Sequence, residues 1–139
     1  MLFRSAGLLV NSVFKAHWGR PRPHMVTEFG GGWTFQPALQ TGGKCRGNCS
    51  FVSGHSATGY ALMGLGMLGA ARTRRRWLWV GGLAGFGLGV ARIAQGGHFL
   101  SDVVFAGLVV WATHLAVREA WLRLAARRRA RGRWQAQPA

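Results

Sequence analysis

The sequence predicts an all-α fold embedded in a membrane as a helical bundle, and three observations carry that expectation. Apolar residues fall in long blocks at 53–71, 77–93 and 98–117 rather than alternating with polar ones. Glycines recur within them, as at Gly59, Gly64, Gly66 and Gly69, which suits helices that approach closely in lipid. The cations are grouped at the block ends, in Arg72–Arg76 (RTRRR) and from Arg118 onward, as expected of cytoplasmic segments.

The 139 residues make one domain at most, and 18 Lys and Arg against 3 acids give a formal charge of +15. Such a balance points to nucleic acid, an anionic membrane surface or phosphorylated substrates. Nucleic acid is disfavoured, because so small a chain cannot bury the apolar blocks it carries. The remaining partners are a membrane and a phosphorylated substrate.

Taken in order, residues 1–14 are apolar but shorter than the roughly twenty residues a bilayer span needs. No small-residue cleavage site follows them, so they read as the end of a membrane helix in an N-terminally truncated chain rather than as a signal peptide. Residues 15–52 are Gly- and Pro-rich without periodicity, a long loop whose aromatics Trp18, Phe29, Trp33 and Phe35 suit packing over a site. Within it Cys45 and Cys49 are a small-loop disulfide or two free thiols; an external loop in an oxidising compartment favours the bond. Ser53 is placed to cap a helix over 53–71. RTRRR reads as a turn, with Trp77 and Trp79 at a membrane interface. Helices over 77–93 and 98–117 follow, then a basic amphipathic tail at 118–139.

If the RTRRR turn and the tail are both cytoplasmic, the two helices between them return the chain to the same side. The helix ends bearing Lys15, Ser53–His55, Arg92 and His98–Asp102 then share the external face. His98 and Asp102, at i and i+4, stack on one helix face. There a carboxylate can fix the imidazole tautomer and leave the other ring nitrogen as nucleophile or base. Gly96 and Gly97, just before this pair, are expected to expose backbone N–H groups to an anion. Lys15, Arg22 and Arg92 suit a phosphate pocket, whereas Arg20 is assigned to anionic lipid headgroups. His55, at a helix start, can protonate a leaving alkoxide. His17 and His24 have no distinguishing spacing, and His114 reads as a packed residue on the wrong side. No carboxylate cluster suits Mg²⁺, so neither metal nor cofactor is expected.

KAHWGRPRP at Lys15–Pro23 resembles the first motif of the type 2 phosphatidic acid phosphatase superfamily: Lys, six residues, Arg-Pro. SFVSGH at Ser50–His55 is similar to the second, with Val52 in place of the usual proline. ARIAQGGHFLSD at Ala91–Asp102 resembles the third, with Ala91 in place of serine. The resemblance implies a bundle of the kind shared with vanadate haloperoxidases, usually of six membrane helices, of which this chain supplies about three and a half. It implies His98 as nucleophile forming a phosphohistidine, Asp102 orienting it, and His55 as proton donor and then base. Lys15, Arg22, Ser53, the Gly54 amide and Arg92 would hold the phosphoryl oxygens. The loop also looks like that of bacterial membrane phosphatases acting on lipid phosphates, including those of lipid A. Placement in the inner membrane with an external or periplasmic site follows from this. The alternative is a truncated, inactive basic membrane protein that binds anionic lipid.

The topology is testable in a background lacking Cys45 and Cys49. An impermeant thiol reagent applied to intact cells should label a cysteine at position 40 and leave one at position 74 unlabelled.

Overall fold

The computed structural model describes residues 18–47 and 49–135; the expected partial helix at 1–14, Lys15 and His17 lie outside them. Among the described residues the regular structure is helical, apart from one isolated bridge between Val26 and Trp33. Helix α1 spans Gly54–Tyr60 and tightens into a 3-10 segment, Ala61–Gly66. Helix α2 spans Ala71–Ala94 and α3 spans Leu100–Gln135.

Ser53 caps α1, its hydroxyl oxygen accepting from the Ser56 amide at 3.4 Å and the Ser56 hydroxyl at 2.9 Å. The single helix expected over 53–71 is divided, because Gly64, Gly66 and Gly69 are poor α-formers and the chain reverses at 67–70. RTRRR is therefore not the turn. Its arginines are good helix formers and build the first turns of α2, so α2 starts at Ala71 rather than at 77. Helix α2 ends in a Schellman motif: Gly96 (φ +63°) donates to Ile93 O at 2.8 Å and Gly97 to Arg92 O at 2.9 Å. The amides expected to face an anion are instead spent on the carbonyls of α2. Helix α3 begins at Leu100, two residues later than expected, and does not stop at 117. Between 117 and Gly132 there is no glycine or proline, so the basic tail continues the helix. At ~1.5 Å per residue it is about 54 Å long, well beyond a hydrocarbon core of ~30 Å.

Glycines bring the helices together. A Cβ on Gly59 would lie 2.6 Å from Gly85 Cα, and one on Gly81 2.6 Å from Met63 Cγ, so α1 and α2 run antiparallel. Gly107 lies under the Tyr60 ring and Gly64 against His114, so α1 and α3 run parallel. The shared core is Phe51, Val52, Ala57, Tyr60, Val103, Ala106 and Val110. Leu83, Phe86, Leu108 and Trp121 face outward, the reverse of a water-soluble bundle. Both α2 and residues Leu100–Arg131 are long and apolar enough to cross a membrane. Arg72 and Arg92 stand ~30 Å apart along α2, one bilayer core.

Two substitutions in α2 should move stability in opposite directions. Gly85→Ala pushes a methyl into the Tyr60 ring and should cost about 1–3 kcal/mol. Gly87→Ala meets nothing within 4 Å and should gain up to ~1 kcal/mol of helix propensity. Thermal unfolding in detergent micelles reads both.

Candidate active site

The chain from Trp18 to Ser53 folds over the end of the bundle where α1 and α3 begin and α2 ends. The residue before each proline is pushed to extended backbone, and Arg22 has φ −80°, ψ 157°, a polyproline II conformation. With three residues per turn, residues i and i+2 point about a third of a turn apart. Arg20 and Arg22 therefore go to different places.

Arg20 turns inward and is 2% exposed. Its Nη1 donates to Asp102 Oδ1 and, at 2.8 Å, to Ser101 Oγ; its Nε donates to Gln36 O at 2.8 Å. Its plane lies over the Phe99 ring, 4.3 Å from the centroid. Burial pushes the guanidinium below its ordinary value, while the charge and hydrogen bond of Asp102 oppose that push. The assignment of Arg20 to lipid headgroups is thus corrected: its counter-charge is internal. Asp102 Oδ2 accepts from the Ser50 hydroxyl and, at 2.9 Å, from the Phe99 amide. The latter is the return half of a capping box at the start of α3. His98, also 2% exposed, places Nδ1 3.7 Å from Asp102 Oδ2. That is longer than a hydrogen bond, and Nδ1 has no partner among the described residues. Nδ1 faces the carboxylate, which leaves Nε2 as the nitrogen for chemistry.

His98 lines a cleft of about 420 Å³ with Pro23, His24, Phe29, Gly96 and Phe99. His24 is held there by Gly96 O, which its amide and Nδ1 reach at 3.3 and 2.9 Å. Arg22 is half-buried, and burial, then the neighbouring Arg92 charge, disfavour its cationic form. Arg92 is braced by Gln95 (Nη1 to Oε1, 2.5 Å) and packs against Gly97. Two guanidiniums held close enough to repel make a setting that an oxyanion relieves. Ser53 is fully buried as the α1 cap, and its amide donates to Asp102 O at 3.2 Å, fastening α1 to α3. Gly54 follows it, and His55 is exposed on the first turn of α1. Cys45 and Cys49 are joined as a disulfide, their Cα atoms 5.8 Å apart. It closes a loop whose ends are tied to Gly19 and Arg20 through Cys45 N to Gly19 O (3.0 Å) and Ser50 N to Arg20 O (2.9 Å). His114 is buried beneath Gly64, far along α3 from Asp102. Among the described residues no three His, Cys, Asp or Glu side chains gather as a metal set.

Sequence reasoning missed Arg20, Ser50 and His24. The alternation Arg-Pro-Arg-Pro was the available signal for Arg20, since it separates the two guanidiniums; nothing local singled out Ser50 or His24.

A histidine–carboxylate couple thus lies at the same end of the helical bundle as Arg22 and Arg92, and the apolar side chains of that bundle face outward. The sequence model of the PAP2 superfamily matches residues 2–125, and the chain belongs to that superfamily. It is 47% identical over 111 residues to a lipid A 4'-phosphatase of Francisella tularensis subsp. novicida, covering 79% of this chain and 50% of that protein. It is 43% identical over 117 residues to the lipid A 4'-phosphatase of Rhizobium leguminosarum, covering 81% of this chain and 49% of that protein. With the protein of that name from Rhizobium etli the identity is 42% over 117 residues, covering 81% and 45%. The chain spans about half the length of the relatives it matches. No solved structure matches it.

Removing the carboxylate should expose the cost of the buried charge. Asp102→Leu strands Arg20 and should lower stability by about 3–5 kcal/mol, whereas Arg20→Met combined with Asp102→Leu should recover much of that loss. Chemical unfolding in micelles distinguishes the two.

Proposed function

We propose that the protein is a metal-independent phosphomonoesterase that removes phosphate from a membrane lipid phosphate, the 4'-phosphate of lipid A being the substrate its relatives' names suggest. The observation that carries this is the cleft lined by His98, which Asp102 backs, at the end of the bundle where Arg22 and Arg92 also lie. His98 Nε2 attacks phosphorus, so that an N–P bond forms as the ester P–O bond breaks. Asp102 stabilises the positive charge gained by the ring. His55 gives its proton to the departing lipid oxygen. It then takes a proton from water, whose oxygen attacks phosphorus; the N–P bond breaks, inorganic phosphate leaves and His98 is restored. Arg22 and Arg92, with Lys15, Ser53 and the Gly54 amide, hold the phosphoryl oxygens. Such stabilisation of developing charge is commonly worth ~3–4 kcal/mol per donor.

The site faces the exterior or periplasm of a bacterial inner membrane. The burial of His98 at the ends of α1 and α3, opposite the Arg72–Arg76 end, supports that placement. The outward-facing apolar surfaces of α2 and α3 favour a lipid substrate delivered laterally from the leaflet. The alternative of an inactive anionic-lipid binder does not call for a buried His–Asp couple.

Three results test this in detergent-solubilised protein supplied with lipid A. His98→Ala should abolish phosphate release with membrane insertion intact, and wild-type-like turnover would falsify the nucleophile assignment. Vanadate, which imitates the phosphoryl group in flight, should inhibit competitively and more tightly than phosphate. EDTA should have no effect; chelator-sensitive activity restored by Mg²⁺ means the chemistry is different.

A further inference from the structure

Three cations from two motifs, Arg20, Arg22 and Arg92, lie at the site end of the bundle, but the structure divides them. Arg22 is half-buried and close enough to Arg92 for the two charges to repel. Arg20 has no such need. Nη1 is taken by Asp102 Oδ1 and Ser101 Oγ, Nε by Gln36 O, and the plane by the rings of Phe99 (4.3 Å) and Phe35 (5.6 Å). With 2% of it exposed, little is left for a substrate oxygen. On the other side of the carboxylate, Ser50 donates to Oδ2 while its own amide donates to Arg20 O at 2.9 Å. Arg20 and Ser50 are thus one hydrogen-bonded unit that grips both oxygens of Asp102. The Phe99 amide adds a third donor. The carboxylate cannot turn about its Cβ–Cγ bond without breaking at least one of these bonds.

We propose that Arg20, backed by Ser50, is a positioning residue: it clamps the Asp102 carboxylate so that Oδ2 stays aimed at His98 Nδ1, and it does not hold the phosphate. This rests on the phosphatase function proposed above and adds to it a division of labour among the arginines. Arg22 and Arg92 bind the anion; Arg20 acts only through Asp102. The guanidinium also balances the Asp102 charge when His98 is neutral, so the couple stays buried without an uncompensated anion.

A double-mutant cycle on the purified chain, with lipid A as substrate and inorganic vanadate as probe of the phosphate pocket, separates this from direct binding. Arg20→Gln should lower kcat on the order of 100-fold, as misplacement of a reacting group does, with KM and the vanadate inhibition constant moved less than about 2-fold. In an Asp102→Asn background the same substitution should cost less than about 3-fold, because the group it acts through is already gone. Arg22→Gln should instead weaken vanadate inhibition. Ser50→Ala removes a neutral donor, so it remains informative if the charge variants do not fold; it should lower kcat by about 3–10-fold at unchanged KM. Arg20→Gln weakening vanadate inhibition, losses that multiply in the double variant, or Ser50→Ala turning over at the wild-type rate would each overturn the positioning role. If the wild-type chain releases no phosphate, or His98→Ala still does, the phosphatase reading falls and this inference with it. Wild-type release that requires His98, combined with a multiplicative cycle, removes the positioning role alone.

Discussion

A guanidinium buried in a chain otherwise built for lipid must have its charge and its donors answered from within, and the Arg20–Asp102 pair does this. It joins residues 82 positions apart, the start of the long loop and the first turn of α3. Around it the loop acquires a fixed course. Cys45 and Ser50 hydrogen-bond to the backbone of Gly19 and Arg20, Gln36 O accepts from Arg20, and Trp18 stacks on Phe51 at 4.7 Å. Replacing such a pair by apolar residues is often harmless to stability, while losing one partner is not. Its presence therefore says more about the placement of Asp102 than about the strength of the fold.

Below this layer the bundle is governed by a different constraint. In lipid there is little to gain by hiding apolar side chains, so helix contacts depend on closeness. Gly59 against Gly85 brings backbone to backbone, and Gly107 makes room for the Tyr60 ring. The larger side chains are left on the outside, where Leu83 is 68% exposed. The polar groups of the loop can then stay at one end, with the apolar body serving to hold three helix termini in register.

Much of the layering was legible in the sequence because it rests on patterns that extend over many residues. Charge grouping at Arg72–Arg76 and after Arg118, and apolar blocks between, are such patterns, and so is the i, i+4 spacing of His98 and Asp102. Boundaries were less legible. Grouped arginines are expected at a cytoplasmic end but also propagate helix, so RTRRR reads as a turn although the reversal lies in the glycine-rich residues before it. Gly96 and Gly97 looked like the opening of α3 because the pair they precede draws the eye; their amides belong to the end of α2. The least legible feature was the fate of Arg20. Its partners Gln36, Ser50, Ser101 and Asp102 come from three distant stretches, and only the folded loop brings them together.

Helices α1 and α3 run parallel, and both begin at the layer that holds His98, with the Ser53 amide bonded to Asp102 O. Aligned peptide dipoles leave the N-terminal end of a helix partly positive, and guanidinium groups keep their charge throughout the accessible pH range. The electrostatic potential at this mouth is thus supplied largely by groups that do not titrate. On the function proposed above, the capture of an anion at this mouth should therefore vary little with acidity.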